Sequence, residues 1–190
     1  ADVMEVDLHQ LIQDEFSGLD VLVCANLPYY ITSPVIMKLL EEKLPVESLT
    51  VMVQKEAAVR ICAASGTRAC GAVSVAVQYY SQPQILFDVP RDCFFPAPNV
   101  DSAVIRLNIR KEPPVKLETE EKQFFKLVKA AFGQRRKTVL NSLNTGLGKS
   151  KEELSAALQQ AGIEPTARAE QLTMEQFGTL CNLLFPNKAK

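Results

Sequence analysis

One histidine, His9, stands in 190 residues, and no two cysteines form a Cys-x-x-Cys pair. These scarcities argue against a Cys/His zinc site and against a Ser-His-Asp triad. His9 itself is expected on the surface of a short helix. The five cysteines (Cys24, Cys62, Cys70, Cys93, Cys181) are scattered and odd in number, which suggests reduced thiols and a cytoplasmic location. No apolar run approaches the roughly 18 residues needed to cross a bilayer, so no membrane partner is expected, and no signal peptide is visible. There is no internal repeat and no low-complexity segment. The opening carries no glycine-rich loop, since the first glycine is Gly18. The chain also starts at Ala1 rather than Met, so it reads as a fragment of a longer protein.

What is present is ordinary for a globular chain: 47% hydrophobic and 23% charged residues, enough for one or two domains with a real core. The net charge of −1 is unevenly spread. Residues 1–110 carry 8 Lys/Arg against 13 Asp/Glu, whereas residues 111–190 carry 13 against 9. That asymmetry points to two domains, the second with an anionic partner.

The organising stretch is Asn26-Leu27-Pro28-Tyr29-Tyr30. It follows Val21-Leu22-Val23-Cys24-Ala25, a β-branched-rich run without alternation that reads as a short buried strand over 20–25. Pro28 ends the ladder and biases Leu27 toward extended backbone. Ser33 is placed as an N-cap, with Pro34 at the first helical position. An amide, a proline and two aromatics thus occupy a tight loop at the C-terminal end of a strand, where ligands bind in open α/β sheets.

Such a loop suits methylation of a planar exocyclic amine. The amino group of adenine is a poor nucleophile because its lone pair is delocalised into the ring. Two acceptors that hold its N–H groups help more than a general base does. The Asn26 side-chain oxygen and a backbone carbonyl, of Leu27 or of Pro28, are the candidates. Tyr29 is a candidate to stack on a base taken out of its helix, a task that needs its ring and not its hydroxyl, so Tyr29→Phe is expected to be tolerated. The competing reading is a plain turn with two core tyrosines.

Along the rest of the chain, helices are expected over 8–16, 34–43 and 55–62, with Val35, Leu39 and Leu40 in the core. A further buried strand is expected over 49–53. Lys55 and Glu56 begin the third helix, either as solvated positions or as the rim of a cleft. Residues 63–70 form a small-residue loop. Residues 71–80 alternate like a strand. Strands over 85–89 and 103–109 form an antiparallel pair joined by a loop that Pro90, Pro96 and Pro98 stiffen, so that Phe94 is held in a fixed pose; Phe95 is the candidate to close the sheet edge. Glu112-Pro113-Pro114 is the best domain boundary, giving domains of 1–112 and 113–190. Beyond it, Phe124, Leu127, Val128 and Ala131 make an apolar helix face opposite Lys122, Lys126 and Lys129. Arg135, Arg136 and Lys137 extend the charge, and no acid occurs from Lys122 through Lys151. That pattern is better explained by phosphate contact than by a solvated face. Helices over 151–161 and 173–184 follow, closed by Gly162 and capped by Thr173.

The pentapeptide resembles the target-amine motif of the ribosomal RNA small-subunit adenine dimethyltransferases. Three further stretches agree with that family in order and spacing: Gln54-Lys55-Glu56-Ala57-Ala58-Val59-Arg60, then Phe94-Phe95-Pro96-Ala97-Pro98-Asn99-Val100-Asp101-Ser102-Ala103-Val104, then Ala131-Phe132-Gly133-Gln134-Arg135-Arg136-Lys137-Thr138. The macrolide-resistance ribosomal methyltransferases share the first and third of these four stretches, but the last resembles the small-subunit enzymes better. The resemblance implies the C-terminal part of a Rossmann-like class I methyltransferase domain followed by a small all-helical domain, with a helix over 71–80. It implies S-adenosylmethionine as methyl donor, with Asp2, Val3 and Asn26 beside it, and Phe94 near the target base. It departs from the family in lacking the glycine-rich cofactor loop, and Cys70 stands where an aromatic is frequent. The implied enzyme is a monomer that dimethylates adenines in small-subunit ribosomal RNA of the immature subunit. The alternatives are a catalytically incomplete RNA- or ribosome-binding fragment and a DNA adenine methyltransferase.

Overall fold

A computed structural model describes residues 2–186. They fold into two compact units, one of residues 2–62 with 76–112 and one of residues 63–75 with 113–186. The division at Glu112 and Pro113 falls on the Pro-Pro pair, and the small-residue loop 63–70 belongs to the second unit.

The first unit is a four-stranded mixed sheet with helices. Its elements are α1 (Leu8–Glu15), β1 (Leu22–Asn26), α2 (Thr32–Glu41), β2 (Ser48–Gln54), α3 (Lys55–Ile61), α4 (Ala72–Tyr80), β3 (Ser81–Val89) and β4 (Ser102–Ile109), with the first turn of α4 belonging to the second unit. The strand order is β1-β2-β4-β3. β1 and β2 are parallel, as the intervening α2 allows, while β4 runs antiparallel to both its neighbours. Leu49, Val51 and Val53 of β2 face Leu107, Ile105 and Ala103 of β4 across the ladder, and all six are fully buried. Opposite-facing residues such as Thr50 and Met52 are half-buried.

This asymmetry corrects the expectation for β1. Leu22, Cys24 and Asn26 alternate as exposed residues, with Leu22 63% exposed. Among the described residues β1 pairs with β2 alone.

Two local expectations also change. The helix after the loop starts at Thr32, with Ile31 as its cap residue and no side-chain cap, so Ser33 is not the N-cap. The Thr32 hydroxyl instead donates to the Pro28 carbonyl, 3.2 Å away. Pro34 still sits in the first turn, where a missing N–H costs nothing. Residues 72–80 are helical, as the resemblance implied. Ser74, Val75, Ala76 and Val77 are buried in succession, so the helix shows no amphipathic period. His9 is exposed on α1, where its Nε2 lies 2.7 Å from the Glu42 carbonyl.

The second unit is helical: α5 (Glu121–Phe132), α6 (Val139–Leu147), α7 (Lys151–Gln160) and α8 (Met174–Leu184). Phe124, Leu127 and Val128 of α5 pack in a core with Leu143, Leu154, Leu158 and Phe177. Thr138 and Ser150 cap α6 and α7, and Thr173 with Gln176 forms a capping box on α8. α6 is not among the helices expected from the sequence, and Gly146 lies in its last turn. A Cβ there would lie 2.7 Å from that of Ala130, so the glycine is required by the close approach of α5 and α6. The one Gly-x-Gly of the chain, Gly146-Leu147-Gly148, is therefore a helix end. Gly148 closes it in the left-handed conformation at φ 68°.

All five cysteines are unbridged. Burial pushes the Cys62 and Cys181 thiols up to about 11, which makes them poor nucleophiles. Among the described residues no helix is long and apolar enough to cross a membrane, and no cluster of His, Cys, Asp or Glu could hold a metal ion.

Candidate functional site

The loop after β1 is fixed at three points. The Leu27 N–H donates to the Met52 carbonyl at 3.3 Å, continuing the β1–β2 ladder one residue past the strand. Ile31 N–H and the Thr32 hydroxyl both donate to the Pro28 carbonyl. The Tyr29 hydroxyl shares a hydrogen bond of 2.9 Å with Ser102 Oγ at the start of β4. Leu27 is buried, whereas Asn26 and Pro28 are exposed. Tyr30 is 85% exposed, which disposes of the reading with two core tyrosines.

The Pro-rich loop between β3 and β4 is fastened as firmly. The Arg91 backbone N–H and its Nε each donate to Asp101 Oδ1 at 3.1 Å, and Nη1 donates to the Asn99 carbonyl at 2.9 Å. The two Arg91 hydrogen bonds, backbone first, hold the Asp101 carboxyl below its ordinary value. The Lys55 N–H donates to the Asp101 carbonyl at 3.0 Å. The Lys55 ammonium meets Asp88 Oδ2 at 2.6 Å, and that hydrogen bond raises its pKa. Lys55 is therefore both the start of α3 and a tie to the end of β3. Both ion pairs are half-exposed, so they fix geometry more than they add stability.

The two fastened loops form one open groove of about 330 Å³. Asn26, Leu27, Pro28 and Tyr29 line it from β1, and Phe94, Pro96 and Pro98 from the Pro-rich loop. The structure thus brings Phe94, half-buried, into the same groove as the Asn26 loop, although 68 positions separate them. Phe95 is fully exposed and closes no sheet edge. Its neighbour Phe94 is the inward residue. Asp2 and Val3 do not line this groove. The Asp2 carboxylate accepts from the Met4 N–H at 2.9 Å through Oδ1, which leaves acceptor capacity on Oδ2.

Chemically, the groove offers an amide, an apolar wall of two aromatics and prolines, and a choice of backbone acceptors. The geometry discriminates between the carbonyls. Pro28 already receives two donors, whereas no hydrogen bond among the described residues reaches the carbonyl of Leu27. Leu27 rather than Pro28 is the backbone acceptor available beside Asn26.

Tyr29 has two tasks that the sequence did not separate. Its ring is 38% exposed and lines the groove, while its hydroxyl serves the buried hydroxyl of Ser102. The expected tolerance of Tyr29→Phe is revised accordingly. Tyr29→Phe leaves Ser102 Oγ without that partner and should lower stability by about 1–3 kcal/mol. Adding Ser102→Ala should recover most of the loss, because both polar partners are then gone. Urea unfolding of the two single variants and the double variant checks this. Additive losses in the double variant would show that the hydrogen bond contributes nothing.

The basic positions lie in the second unit. Lys122, Lys126 and Lys129 are exposed on α5, and Arg135, Arg136 and Lys137 are exposed in the turn that follows. Lys122 pairs with Glu120 at 3.3 Å, an exposed contact just before the acid-free stretch. Ser102, Arg91 and Asp101 were not singled out from sequence. Asp101 and Ser102 adjoin within the stretch Phe94 to Val104, whereas Arg91 lies three residues before it and carries no sequence signal.

Comparison with known proteins places these features in context. The family described as ribosomal RNA adenine dimethylase matches residues 1–185. The ribosomal RNA small subunit methyltransferase A of Geobacillus sp. (strain WCH70) is 51% identical over 187 residues, covering 96% of this chain and 64% of that protein. The protein of the same name from Alkaliphilus oremlandii (strain OhILAs) is 54% identical over 184 residues, again with 96% and 64% covered. The chain thus spans 64% of the length of these relatives. Among solved structures, a dimethyladenosine transferase from Plasmodium falciparum superposes with a TM-score of 0.69 at 25% identity, covering 87% of this chain and 66% of that one. The 23S rRNA methyltransferase ErmE gives 0.63 at 25% identity, with 93% and 78% covered. The mixed sheet with its helices is the α/β fold of these methyltransferases.

Proposed function

The chain belongs to the ribosomal RNA adenine dimethylase family, and from that premise we propose that it is the larger part of an enzyme that dimethylates adenine amino groups in small-subunit ribosomal RNA. The proposed substrate is the immature small subunit, the methyl donor is S-adenosylmethionine, and the enzyme is a monomer. The observation that carries the reading is the groove in which Asn26, Tyr29 and Phe94 converge.

A flipped adenine fits that groove by its chemistry. The Asn26 side-chain oxygen and the Leu27 carbonyl accept the two N–H bonds of the amine. Held this way, the amine turns its lone pair out of the ring plane toward the donor. The ring packs against Tyr29 and Phe94, whose loops are each tied down by hydrogen bonds. When bound, S-adenosylmethionine supplies an electrophilic methyl on its sulfonium. The residues present suit its adenosine in one respect: Asp2 keeps acceptor capacity for an exocyclic amine. Asp2, Val3 and Asn26 are the positions of this chain assigned to the donor. No general base is assigned, because alignment and exclusion of water are what this reaction asks of the protein.

The exposed cations of the second unit, Lys122, Lys126, Lys129, Arg135, Arg136 and Lys137, are assigned to RNA phosphates. The assignment to a DNA substrate is less well supported, since the relatives named above are ribosomal RNA methyltransferases.

Phe94→Ala tests the groove. In a version with the N-terminal residues of the longer relatives, turnover should fall about tenfold or more, in line with the roughly 1–3 kcal/mol that base stacking contributes. RNA affinity should stay within about twofold, because the phosphate contacts lie elsewhere. Single-turnover methylation and filter binding measure the two. Unchanged turnover would remove Phe94 from the site.

A further inference from the structure

A second groove, of about 360 Å³, lies wholly within the helical unit between α5 and α6. We infer that it holds one nucleotide of a single-stranded RNA segment, with Lys126 and Lys129 on its phosphate and Gln134 beside its sugar or base. The inference rests on the RNA-binding reading of this unit and names a site within it.

The groove exists because α5 and α6 meet backbone to backbone. At Gly146 an added Cβ would fall 3.0 Å from Ala130 Cα as well as against its Cβ, so no larger residue fits the crossing. Ala130, Gly133 and Gly146 leave a shallow floor of methyl and backbone atoms. The hydroxyls on its far side are already used. Ser142 Oγ donates to the Gln134 carbonyl at 3.4 Å, and Thr145 Oγ1 donates to the Asn141 carbonyl at 3.1 Å. The floor is therefore apolar in character, suited to the face of a base or sugar rather than to an isolated anion.

The rim is the opposite. Lys126 and Lys129 lie one turn apart, so both ammonium groups can reach one phosphate. Both are exposed, and neither has a carboxylate within ion-pair distance among the described residues. Lys122 and Lys149, at the edges of the acid-free stretch, pair with Glu120 and Glu153. Lys126 and Lys129 share the lack of a carboxylate partner with Arg135, Arg136 and Lys137, and of these five cations Lys126 and Lys129 line the groove. The Gln134 side-chain amide, with two donors and an acceptor, makes no hydrogen bond among the described residues.

Charge complementarity selects the occupant. An apolar protein segment would leave two ammonium groups uncompensated, and an acidic peptide would not use the floor. A nucleotide supplies both a phosphate and a flat apolar face. The volume lies at the lower end of the roughly 300–1,000 Å³ of small-ligand sites, enough for one residue of a strand and too little for a duplex.

The test uses the 190-residue chain, a fluorescein-labelled single-stranded RNA heptamer of mixed sequence and an RNA hairpin, with anisotropy read at several salt concentrations. Lys126→Ala with Lys129→Ala should weaken heptamer binding roughly tenfold and lower the salt slope by about 0.7, the value for one phosphate contact on a single strand. Thr145→Phe, at an exposed helix position, fills the groove without changing charge. It should weaken the heptamer several-fold, leave its salt slope unchanged and leave the hairpin alone. Gln134→Ala should weaken the heptamer about two- to fivefold without altering the slope. If the lysine pair and Thr145→Phe both bind the heptamer like wild type while Arg135→Ala with Arg136→Ala and Lys137→Ala binds weakly, the groove assignment is wrong and the RNA reading stands. Equal losses for hairpin and heptamer in Thr145→Phe would also overturn the single-strand assignment. A wild-type chain that binds neither RNA would overturn both readings.

Discussion

Replacing Asn26 by Ala, in a version carrying the N-terminal residues of the longer relatives, should lower single-turnover methylation by about 10²- to 10⁴-fold while RNA affinity stays within about twofold. The size follows from what the side chain is asked to do. The adenine amine has no basic lone pair until its hydrogens are held and its nitrogen is turned toward the donor. Loss of one of two fixed acceptors releases that alignment, and a misplacement of about 1 Å can cost roughly 10² in rate. Lost electrostatic preorganisation adds to the deficit. Only Asn26 in this loop carries a side-chain carbonyl, since Leu27 and Pro28 offer backbone carbonyls and Tyr29 an engaged hydroxyl. Asn26→Asp keeps an acceptor but changes the charge beside a cationic donor, so partial activity is expected from it. A drop in RNA affinity that matched the drop in rate would instead make Asn26 a binding residue.

The second large effect belongs to the helical unit. Arg135→Ala with Arg136→Ala and Lys137→Ala should weaken binding to unrelated RNAs alike, by about tenfold or more at low salt. It should also reduce the slope of log affinity against log salt by about 2 to 3. All three side chains are exposed, and no acid lies between Lys122 and Lys151 to offset them. Phosphate contacts do not read sequence, so the loss should be uniform. Melting temperature should change little, because none of the three is part of the core. An unchanged salt slope would show that these cations are merely solvated. Loss for one RNA and not for another would point to base reading instead.

Local chemistry made much of this legible. Asn26 to Tyr30 and the Pro-rich loop declare themselves as rigid, aromatic and placed at strand ends, whatever surrounds them. Thr138, Ser150 and Thr173 cap helices as their residue types suggest. What the sequence could not show depends on distant partners. The Tyr29 hydroxyl meets Ser102, 73 positions away, and this turns an apparently dispensable group into an anchor. Arg91 and Asp101 span ten positions of a loop whose closure no periodicity reveals. Gly146 is a packing glycine only because Ala130 stands against it. Ser33 is a good capping residue in isolation. It was displaced because Thr32, one position earlier, could bond the Pro28 carbonyl and draw the helix back toward the loop.

The most direct test of the central claim is nucleoside analysis of the product. Small ribosomal subunits that lack dimethylated adenine are incubated with the longer version of the protein and S-adenosylmethionine, and their RNA is digested and analysed by mass spectrometry. The account predicts N6,N6-dimethyladenosine as the new nucleoside, with the monomethyl form appearing first and then being consumed. It also predicts that both form about 10²- to 10⁴-fold more slowly when Asn26 is replaced by Ala. New methyl groups on any base other than adenine, or dimethyladenosine formed at wild-type rate by Asn26→Ala, would contradict it.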